Sequence, residues 1–367
     1  MIEYESLNKS NQKFMADLEA AASRVIRSGW YVLGKEVSTF EAEFATYTGA
    51  KHCIGVANGL DALILSIEAL DLPKASDILV ASNTYIATIL AIIHAGHRPV
   101  LVEPDIKTFN IDPAQLPNAL TSNTRAVCVT HLFGKTCRMD EIQLFVETHG
   151  LKLIEDCAQS HGAKFAGRMT GTFGDAGCFS FYPTKNLGAI GDAGAVVTND
   201  DNLADRLHYL RNYGSKLKYV NQYIGVNSRL DELQAAMLRV KLQYLSEMTL
   251  HKRQMAKLYF EGLATDSDVV LPYLSDDEYD VFHIFGIRHH QRDVLRQYLL
   301  NKGIKTEVHY PIPPHKQIAM QGILKGSYPV ADVLCSTQLS LPVSFGHSVS
   351  EIETVINVIH EFSKINS

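Results

Sequence analysis

The chain has 367 residues, of which 46% are hydrophobic and 20% are charged, and its formal net charge is −6. This length and apolar content suffice for one large domain and one smaller domain, each with a buried core. The acidic balance argues against nucleic acid as the main partner, because nucleic-acid-binding domains are typically basic.

Cysteine usage and the first residues of the chain bear on its compartment. The six cysteines have no close-paired metal spacing and lie mostly in apolar, strand-like segments, which favours reduced thiols over a disulfide framework. Residues 1–4 lack the basic and apolar regions of a secretory signal. The longest apolar stretch, near residues 85–95, is too short to cross a bilayer. We therefore expect a cytoplasmic protein with no membrane partner.

Strand-like and helix-like segments alternate between residues 50 and 200. The β-branched runs that predict strands are 53–56, 78–81, 99–102, 126–130, 151–155 and 176–181. The helical patterns between them are 61–70, 85–94, 113–120 and 140–149. This alternation predicts an α/β fold in which a mostly parallel sheet is covered on both faces.

The C-terminal part of the chain has a different pattern. Residues 228–263 read as one helix of some 36 residues, of the kind that usually connects domains. A strand-like run at 283–288, a helical pattern at 292–302 and a proline-rich loop at 310–315 follow. We expect a large domain over residues 1–245 and a smaller α/β domain over residues 246–367.

Polar residues follow several of the predicted strands. Asn58, Asn83, His131 and Asp156 each come directly after a β-branched run or close it. Ligands of parallel sheets bind at the carboxyl ends of the strands. These positions therefore predict a shared site at one edge of the sheet.

Lys185 is the most unusual residue of the sequence. It lies in the run 179–192 among aromatic, hydroxyl and glycine residues, a poor setting for a solvated lysine. A lysine held out of water has a lowered pKa and can act as a nucleophile or form a Schiff base. Asp156 ends an apolar strand and needs a partner when buried, either a helix N-terminus or a protonated pyridine nitrogen. An acid and a lysine so placed suggest a pyridoxal phosphate (PLP) site.

Five further residues fit such a site. Gly59 and Leu60 begin a helix whose backbone N–H groups could bind a phosphate, as many helix starts could. Tyr85 could stack on a flat cofactor or belong to the core. Ser180 could donate to the phosphate, and Gln159 could lie near the cofactor ring.

The remaining candidates lie later in the chain. The simpler interpretation of Asn227, Ser228 and Arg229 is that they form the cap and first turn of the long helix. The alternative is an anion contact that reaches the site of a neighbouring subunit. The proline-rich loop makes His309, Tyr310 and His315 candidates for substrate contact. The motif His-Glu-x-x-His is absent and the histidines show no zinc spacing, so no metal is expected.

These features form a specific combination because of their order along the chain. The order is a glycine at a helix start, an aromatic residue, a strand-end acid with its glutamine, a serine with its lysine, and an Asn-x-Arg. They resemble the fold-type-I PLP-dependent sugar aminotransferases of the DegT/StrS group. The resemblance runs from about Gly29 to Pro342. It implies the aspartate aminotransferase-like fold, with a large PLP-binding domain and a smaller C-terminal domain.

The resemblance also implies roles around the cofactor. Lys185 becomes the lysine that forms the Schiff base and later moves a proton, and Asp156 becomes the partner of the pyridine nitrogen. Gln159 lies near the cofactor 3-oxygen, and Tyr85 stacks on the ring.

The implied phosphate contacts come from Gly59, Leu60 and Ser180 of one subunit and from Asn227 of the second subunit. The resemblance therefore implies a homodimer with two shared active sites.

Within the group, the segments 29–34, 56–61 and 180–188 most resemble the enzymes that aminate dTDP-3-keto-6-deoxyhexoses. Those enzymes make 3-amino-3,6-dideoxy sugars for surface polysaccharides such as O-antigen and S-layer glycans. The implied reaction is a ping-pong transamination with glutamate as the amino donor. The residues that would face the nucleotide sugar are Tyr31, Tyr182, Arg229, His309, Tyr310 and His315.

Three alternatives remain beside this interpretation. A C4 aminotransferase acting on a dTDP-, UDP- or GDP-4-keto-6-deoxyhexose fits the same motifs, and the sequence leaves sugar configuration and nucleotide open. PLP-dependent sugar 3-dehydratases resemble this chain but have histidine at the position of Lys185. A non-catalytic regulator on the same fold would be expected to lack Lys185, Asp156 or Gln159, and all three are present.

Overall fold

The computed structural model describes residues 1–366. The helices are α1 (Leu7–Asn11), α2 (Met15–Ser28), α3 (Lys35–Thr48), α4 (Gly59–Ala69), α5 (Ile86–His94), α6 (Leu116–Ala119), α7 (Met139–His149), α8 (Asp201–Leu210), α9 (Glu232–Leu242), α10 (Leu245–Leu263), α11 (Arg292–Asn301), α12 (Pro329–Thr337) and α13 (Val349–Asn366). The strands are β1 (His52–Val56), β2 (Asp77–Ala81), β3 (Arg98–Val102), β4 (Thr124–Thr130), β5 (Lys152–Asp156), β6 (Lys164–Phe165), β7 (Arg168–Met169), β8 (Ala176–Ser180), β9 (Gly194–Thr198), β10 (Val269–Val270), β11 (Glu278–Tyr279), β12 (Phe285–His289) and β13 (Gln338–Leu341).

The central sheet has seven strands in the order β1-β9-β8-β5-β4-β2-β3. The pairings among β3, β2, β4, β5 and β8 are parallel, whereas β9 runs antiparallel to both of its neighbours. The α/β fold class with a mostly parallel sheet is confirmed. The sequence reading missed β9, which follows β8 through a loop without an intervening helix and is therefore reversed.

Both faces of the central sheet are buried, as crossover helices require. Every residue of β2 and of β9 is buried. Helices α4, α5 and α8 share one apolar cluster with one face of the sheet, and α3 and α9 share another with the opposite face near β8 and β9. The near-continuous apolar runs of the strands follow from this double coverage.

The predicted helix over residues 228–263 is wrong in two places. Residues 228–231 of the predicted helix are not helical, because Asp231 forms a β-bridge with Val32 and helix α9 begins only at Glu232. The Glu232 carboxylate accepts the backbone N–H groups that begin α3, from Gly34, Glu36 and Val37, at 2.8–2.9 Å. A packing contact with a distant helix therefore determines where α9 begins.

The second break separates α9 from α10 at residues 243–244, where the Tyr244 N–H bonds to the Lys241 carbonyl. No glycine or proline marks this position. Ser228 is likewise not the predicted helix cap. Its hydroxyl donates to Asp61 at 2.6 Å and accepts from the Ala57 N–H at 3.1 Å, so it ties this segment to the start of α4.

The C-terminal residues form a smaller sheet in the order β10-β12-β13. Helices α10, α11 and α13 pack on it around one buried cluster that includes Tyr259, Phe285 and Phe362. The N-terminus joins this unit, because Ile2 forms a parallel bridge with Ile304. The boundary at residue 245 between the two expected domains stays a prediction.

Two contacts bind the C-terminal residues to the loops after β4 and β5. Strand β11 pairs with β6 in a small three-stranded sheet with β7. The buried Lys135 ammonium forms ion pairs with Glu278 and Asp280. These contacts hold the C-terminal unit beside the carboxyl ends of the central strands. Among residues 1–366, none of the helices is long and apolar enough to span a membrane.

Candidate active site

A cavity of about 520 Å³ opens where β2, β4, β5 and β8 end, between the central sheet and the C-terminal unit. This volume lies within the range of small-molecule sites. The sequence-predicted residues that line it are Gly59, Leu60, Tyr85, Asp156, Gln159, Ser180, Tyr182, Lys185, His309 and Tyr310. The carboxyl-end rule therefore predicted the correct edge of the sheet.

Lys185 lies in the turn that follows β8, with its backbone N–H bonded to the Tyr182 carbonyl at 2.8 Å. Burial lowers the pKa of the Lys185 amine to about 8, with Lys252 adding to the effect and the acids Asp156 and Glu5 opposing it. A substantial fraction of the amine is thus neutral near pH 8, as a nucleophile or proton acceptor requires.

Asp156 is the last residue of β5 and is buried. One carboxylate oxygen accepts the Thr88 hydroxyl at 2.7 Å, and the other accepts the Ala158 N–H at 3.1 Å. Burial raises the pKa of Asp156, and these hydrogen bonds together with the charge of Lys185 act against that rise. The carboxylate faces the cavity and can pair there with a cationic group.

Gln159, Tyr310 and Tyr85 form one wall of the cavity. The Gln159 side chain accepts the Phe133 N–H at 2.6 Å and donates to the Tyr310 hydroxyl at 3.1 Å, so its amide orientation is defined. The rings of Tyr310 and Tyr85 lie 5.0 Å apart, and the Tyr85 ring is 50% exposed. A flat ligand can therefore contact Tyr85 without displacing core residues.

Helix α4 presents its N-terminus to the cavity beside Ser180. The Asn58 side chain caps the helix by accepting the Asp61 N–H at 2.8 Å, which leaves the N–H groups of Gly59 and Leu60 at the open helix end. A Cβ atom at Gly59 would lie 2.6 Å from the Cβ of Ser180. Only glycine allows this close approach, which brings helix N–H groups and a hydroxyl together at an anion-binding position.

Sequence reasoning missed a polar network behind Lys185. His283 lines the cavity, and its Nδ1 lies 3.3 Å from the side-chain oxygen of Asn186, which also accepts the buried Lys252 ammonium at 2.9 Å. Burial and the nearby lysines lower the pKa of His283, so its imidazole is neutral. The position of His283 at the start of a predicted strand was the only available signal.

His309 and Tyr310 enter the cavity from the C-terminal unit. The His309 ring nitrogen Nδ1 lies 2.8 Å from the Ser340 hydroxyl, and burial lowers the pKa of His309 to about 4. The imidazole is therefore neutral at physiological pH. It offers hydrogen bonds to a ligand without a positive charge.

Four predicted residues lie outside this cavity. His315 is 3.2 Å from Asp332 and packs near Tyr328, away from Lys185. Tyr31, Asn227 and Arg229 lie at the surface, where the Arg229 guanidinium donates to Asn212 at 2.9 Å. Their predicted roles as substrate or cofactor contacts stay predictions.

A separate buried cluster underlies the site. His131, Glu155 and Cys157 bring potential ligand atoms within 4.8 Å of one another. The Glu155 carboxylate already accepts the backbone N–H groups of Gly171, Phe173 and Gly174 at 2.7–2.8 Å, and His131 at 3.0 Å. These bonds anchor the loop before β8 to the strand that carries Asp156.

Comparison with known proteins gives three informative similarities. A dTDP-3-amino-3,6-dideoxy-α-D-galactopyranose transaminase of Aneurinibacillus thermoaerophilus is 49% identical over 362 residues, covering 99% of each chain. The crystal structure of Streptomyces venezuelae DesV in complex with a ketimine intermediate matches with a TM-score of 0.95 and 41% identity, over 98% of this chain and 97% of that one. Bacillus subtilis NtdA with bound cofactor PMP matches with a TM-score of 0.90 and 26% identity, over 98% and 84% of the chains.

The cavity fits PLP by the chemistry of its donor groups. Lys185 supplies an amine, Asp156 supplies a buried carboxylate, and the Gly59–Ser180 approach supplies phosphate donors without a blocking side chain. The profile of the DegT/DnrJ/EryC1/StrS aminotransferases, which are PLP-dependent, matches residues 13–360. The chain belongs to the DegT/DnrJ/EryC1/StrS aminotransferase family.

Proposed function

We propose that this enzyme transfers an amino group from glutamate to C3 of a dTDP-linked 3-keto-6-deoxyhexose and yields a dTDP-3-amino-3,6-dideoxyhexose. The observation that carries the transamination is the meeting of Lys185 and Asp156 in one cavity that the helix N-terminus at Gly59 also lines. The similarity to the Aneurinibacillus transaminase over 99% of both chains supports the sugar. Such products serve surface polysaccharides, including O-antigen and S-layer glycans.

When bound, PLP supplies an aldehyde that exchanges amines and a protonated ring that withdraws electrons from the reacting carbon. Lys185 would hold the cofactor through its amine, and the same amine, once free, would accept and return a proton at the reacting carbon. Its pKa of about 8 suits both directions of that transfer. Asp156, which is buried, would pair with the ring nitrogen and keep it protonated.

The remaining cofactor contacts follow the walls of the cavity. Tyr85 would stack on the ring, and Gln159 would contact the 3-oxygen with the amide that Phe133 and Tyr310 orient. The N–H groups of Gly59 and Leu60 and the Ser180 hydroxyl would bind the phosphate.

The nucleotide sugar enters from the open side of the cavity. Tyr182, His309 and Tyr310 line the cavity and are the proposed sugar contacts. Tyr31 and Arg229 are exposed or partly exposed and would act from the partner subunit. His315, buried beside Asp332, has the least structural support as a contact.

We further propose a homodimer in which Asn227 reaches the phosphate of the partner's active site. Asn227 is exposed and follows a segment rich in exposed apolar side chains, in which Tyr219 is 86% and Ile224 is 99% exposed. Exposed apolar side chains grouped in one segment favour an interface there. The free cysteines support operation in the reducing cytoplasm.

The alternative function is C4 amination of a 4-keto-6-deoxyhexose linked to dTDP, UDP or GDP, because the same cofactor groups serve either carbon. Histidine in place of Lys185 would have favoured a dehydratase, and the loss of Lys185, Asp156 or Gln159 would have favoured a regulator. All three residues are present in one cavity, which supports amination.

Two experiments test the proposal. Lys185→Ala should lose the visible absorbance of enzyme-bound PLP and its turnover, whereas Lys74→Ala, at an exposed position, should retain both. Wild-type turnover in the Lys185 variant would contradict the assignment.

Incubation with glutamate and separate 3-keto and 4-keto dTDP-6-deoxyhexoses tests which sugar carbon is aminated. A product aminated only at C4 would contradict the C3 proposal.

A further inference from the structure

Three buried threonines stand behind Asp156. Thr88 lies in the first turn of α5, Thr84 lies in the loop before that helix, and Thr130 closes β4. The hydroxyl oxygens of Thr130 and Thr84 lie 2.9 Å apart, and those of Thr84 and Thr88 lie 3.0 Å apart. The Thr88 hydroxyl donates to Asp156 at 2.7 Å. We call Thr130, Thr84 and Thr88 the threonine relay.

Proton counting defines the direction of this relay. A hydroxyl donates one hydrogen, and an ionised carboxylate only accepts. Because Thr88 gives its hydrogen to Asp156, its contact with Thr84 requires Thr84 as the donor. Thr84 has then used its hydrogen, so its contact with Thr130 requires Thr130 as the donor. The Thr88 O–H therefore points at the Asp156 carboxylate, the Thr84 O–H points at Thr88, and the Thr130 O–H points at Thr84, with the Thr88 oxygen also 3.5 Å from that of Thr130.

We propose that the threonine relay keeps Asp156 ionised and oriented toward the cofactor ring nitrogen, with Thr88 as a positioning residue that acts through Asp156. The inference rests on the proposed function in one respect, namely that Asp156 pairs with the ring nitrogen. Hydrogen bonds in a chain polarise one another, and a donor to a buried charge is strengthened by the low local dielectric.

The electrostatic surroundings explain why such a device is needed. Burial raises the pKa of Asp156, and the Thr88 hydrogen bond is the largest influence that lowers it again, ahead of the Ala158 N–H and the charge of Lys185. The carboxylate of the preceding residue, Glu155, is bonded to the Gly171 N–H and to His131. The remaining titratable groups near the Asp156 carboxyl are Tyr310, Cys128, Cys137, Cys157 and Cys178. Burial raises the pKa of each of these groups, so they stay neutral and supply no charge to hold the carboxylate ionised.

The test replaces the Thr88 hydroxyl without changing the shape of the side chain. Thr88→Val should weaken PLP binding about tenfold or more, and the loss of binding at low pH should begin about one pH unit higher, since a donor to a charged group is removed. Thr88→Ser, which keeps the hydroxyl, should retain the wild-type dissociation constant and pH dependence. Equilibrium dialysis across pH measures the dissociation constant, and the ¹⁵N NMR shift of PLP labelled at the ring nitrogen reports its protonation.

Controls separate the relay from packing and from the proposed function. Thr84→Val should shift the pH dependence in the same direction by less, and it carries the test if Thr88→Val fails to fold. Asp156→Asn should weaken binding more than either. If it does not, the assignment of Asp156 itself is wrong. If Asp156→Asn weakens binding but Thr88→Val and Thr84→Val match wild type, or Thr88→Ser fails to restore it, the relay is overturned and the proposed function stands.

Discussion

At the scale of single residues, the chemistry of the site depends on two ionisable groups that burial shifts in opposite senses. Desolvation disfavours the charged form of each, so the pKa of Lys185 falls while that of Asp156 rises. The amine thereby becomes available near neutral pH. The carboxylate needs added donors to remain charged, and Thr88 and the Ala158 N–H supply them.

The lowered pKa of Lys185 predicts how uptake of PLP depends on pH. The neutral amine is the reactive form, so the association rate with cofactor-free enzyme should rise about tenfold per pH unit up to about pH 8 and then level off. An unperturbed lysine would give a rate that rises to about pH 10.5. Stopped-flow absorbance measures this rate.

Glu5 provides a directional control for that experiment. Its carboxylate raises the pKa of Lys185, so Glu5→Gln should move the levelling point to lower pH. A levelling point that moves upward, or a wild-type rate that still rises beyond pH 10, would contradict the electrostatic account.

At the scale of secondary-structure elements, the site depends on loops that side chains attach to strands. Glu155 lies beside Asp156 in β5 and accepts three backbone N–H groups of the loop before β8. The Nδ1 of His131 accepts the Cys137 N–H at 3.1 Å, so its Nε2 carries the hydrogen that faces Glu155. The Glu155 carboxylate thus connects strand β5 with His131, which follows β4, and with the loop before β8.

Glu155→Gln should destabilise the protein by about 2–4 kcal/mol, because the amide N–H₂ must face backbone donors in a buried position. Urea unfolding followed by circular dichroism measures the change. Glu147→Gln, at an exposed position of α7, should change stability by less than about 0.5 kcal/mol. Equal stability of the two variants would show that the Glu155 network contributes little.

At the scale of the whole molecule, several exposed apolar side chains between residues 213 and 226 lie next to Asn227 in the chain, and we propose that this region joins two subunits so that each completes the other's site. A symmetric dimer repeats this contact twice. Each active site would then combine Lys185 of one subunit with Asn227 of its partner.

Subunit mixing tests this arrangement. Lys185→Ala and Asn227→Asp should each be nearly inactive alone, the latter because its carboxylate repels the cofactor phosphate. A dimer of one subunit of each kind keeps one intact site, so random re-association of equal amounts should restore about a quarter of wild-type turnover. Analytical ultracentrifugation verifies the dimer. No recovery in mixed dimers would place both residues in the same subunit's site or remove Asn227 from it.

The sequence by itself determined the α/β class, six strands of the central sheet and the lysine, acid and glutamine at their ends. These features are local, because apolar runs, strand ends and a lysine among aromatic and glycine residues can be recognised without knowledge of their neighbours in space. It did not determine the breaks around α9, where Asp231 bridges Val32 and Glu232 caps α3.

Only the tertiary structure decided which of these residues meet. It brought Thr88 to Asp156, His283 and Lys252 to the turn of Lys185, and the Cβ of Ser180 against Gly59. Such contacts join residues far apart in the sequence, and their energies depend on burial that no local pattern encodes. The Lys185 amine could be identified from sequence, but the lowering of its pKa and the hydrogen bonds that surround Asp156 follow from packing.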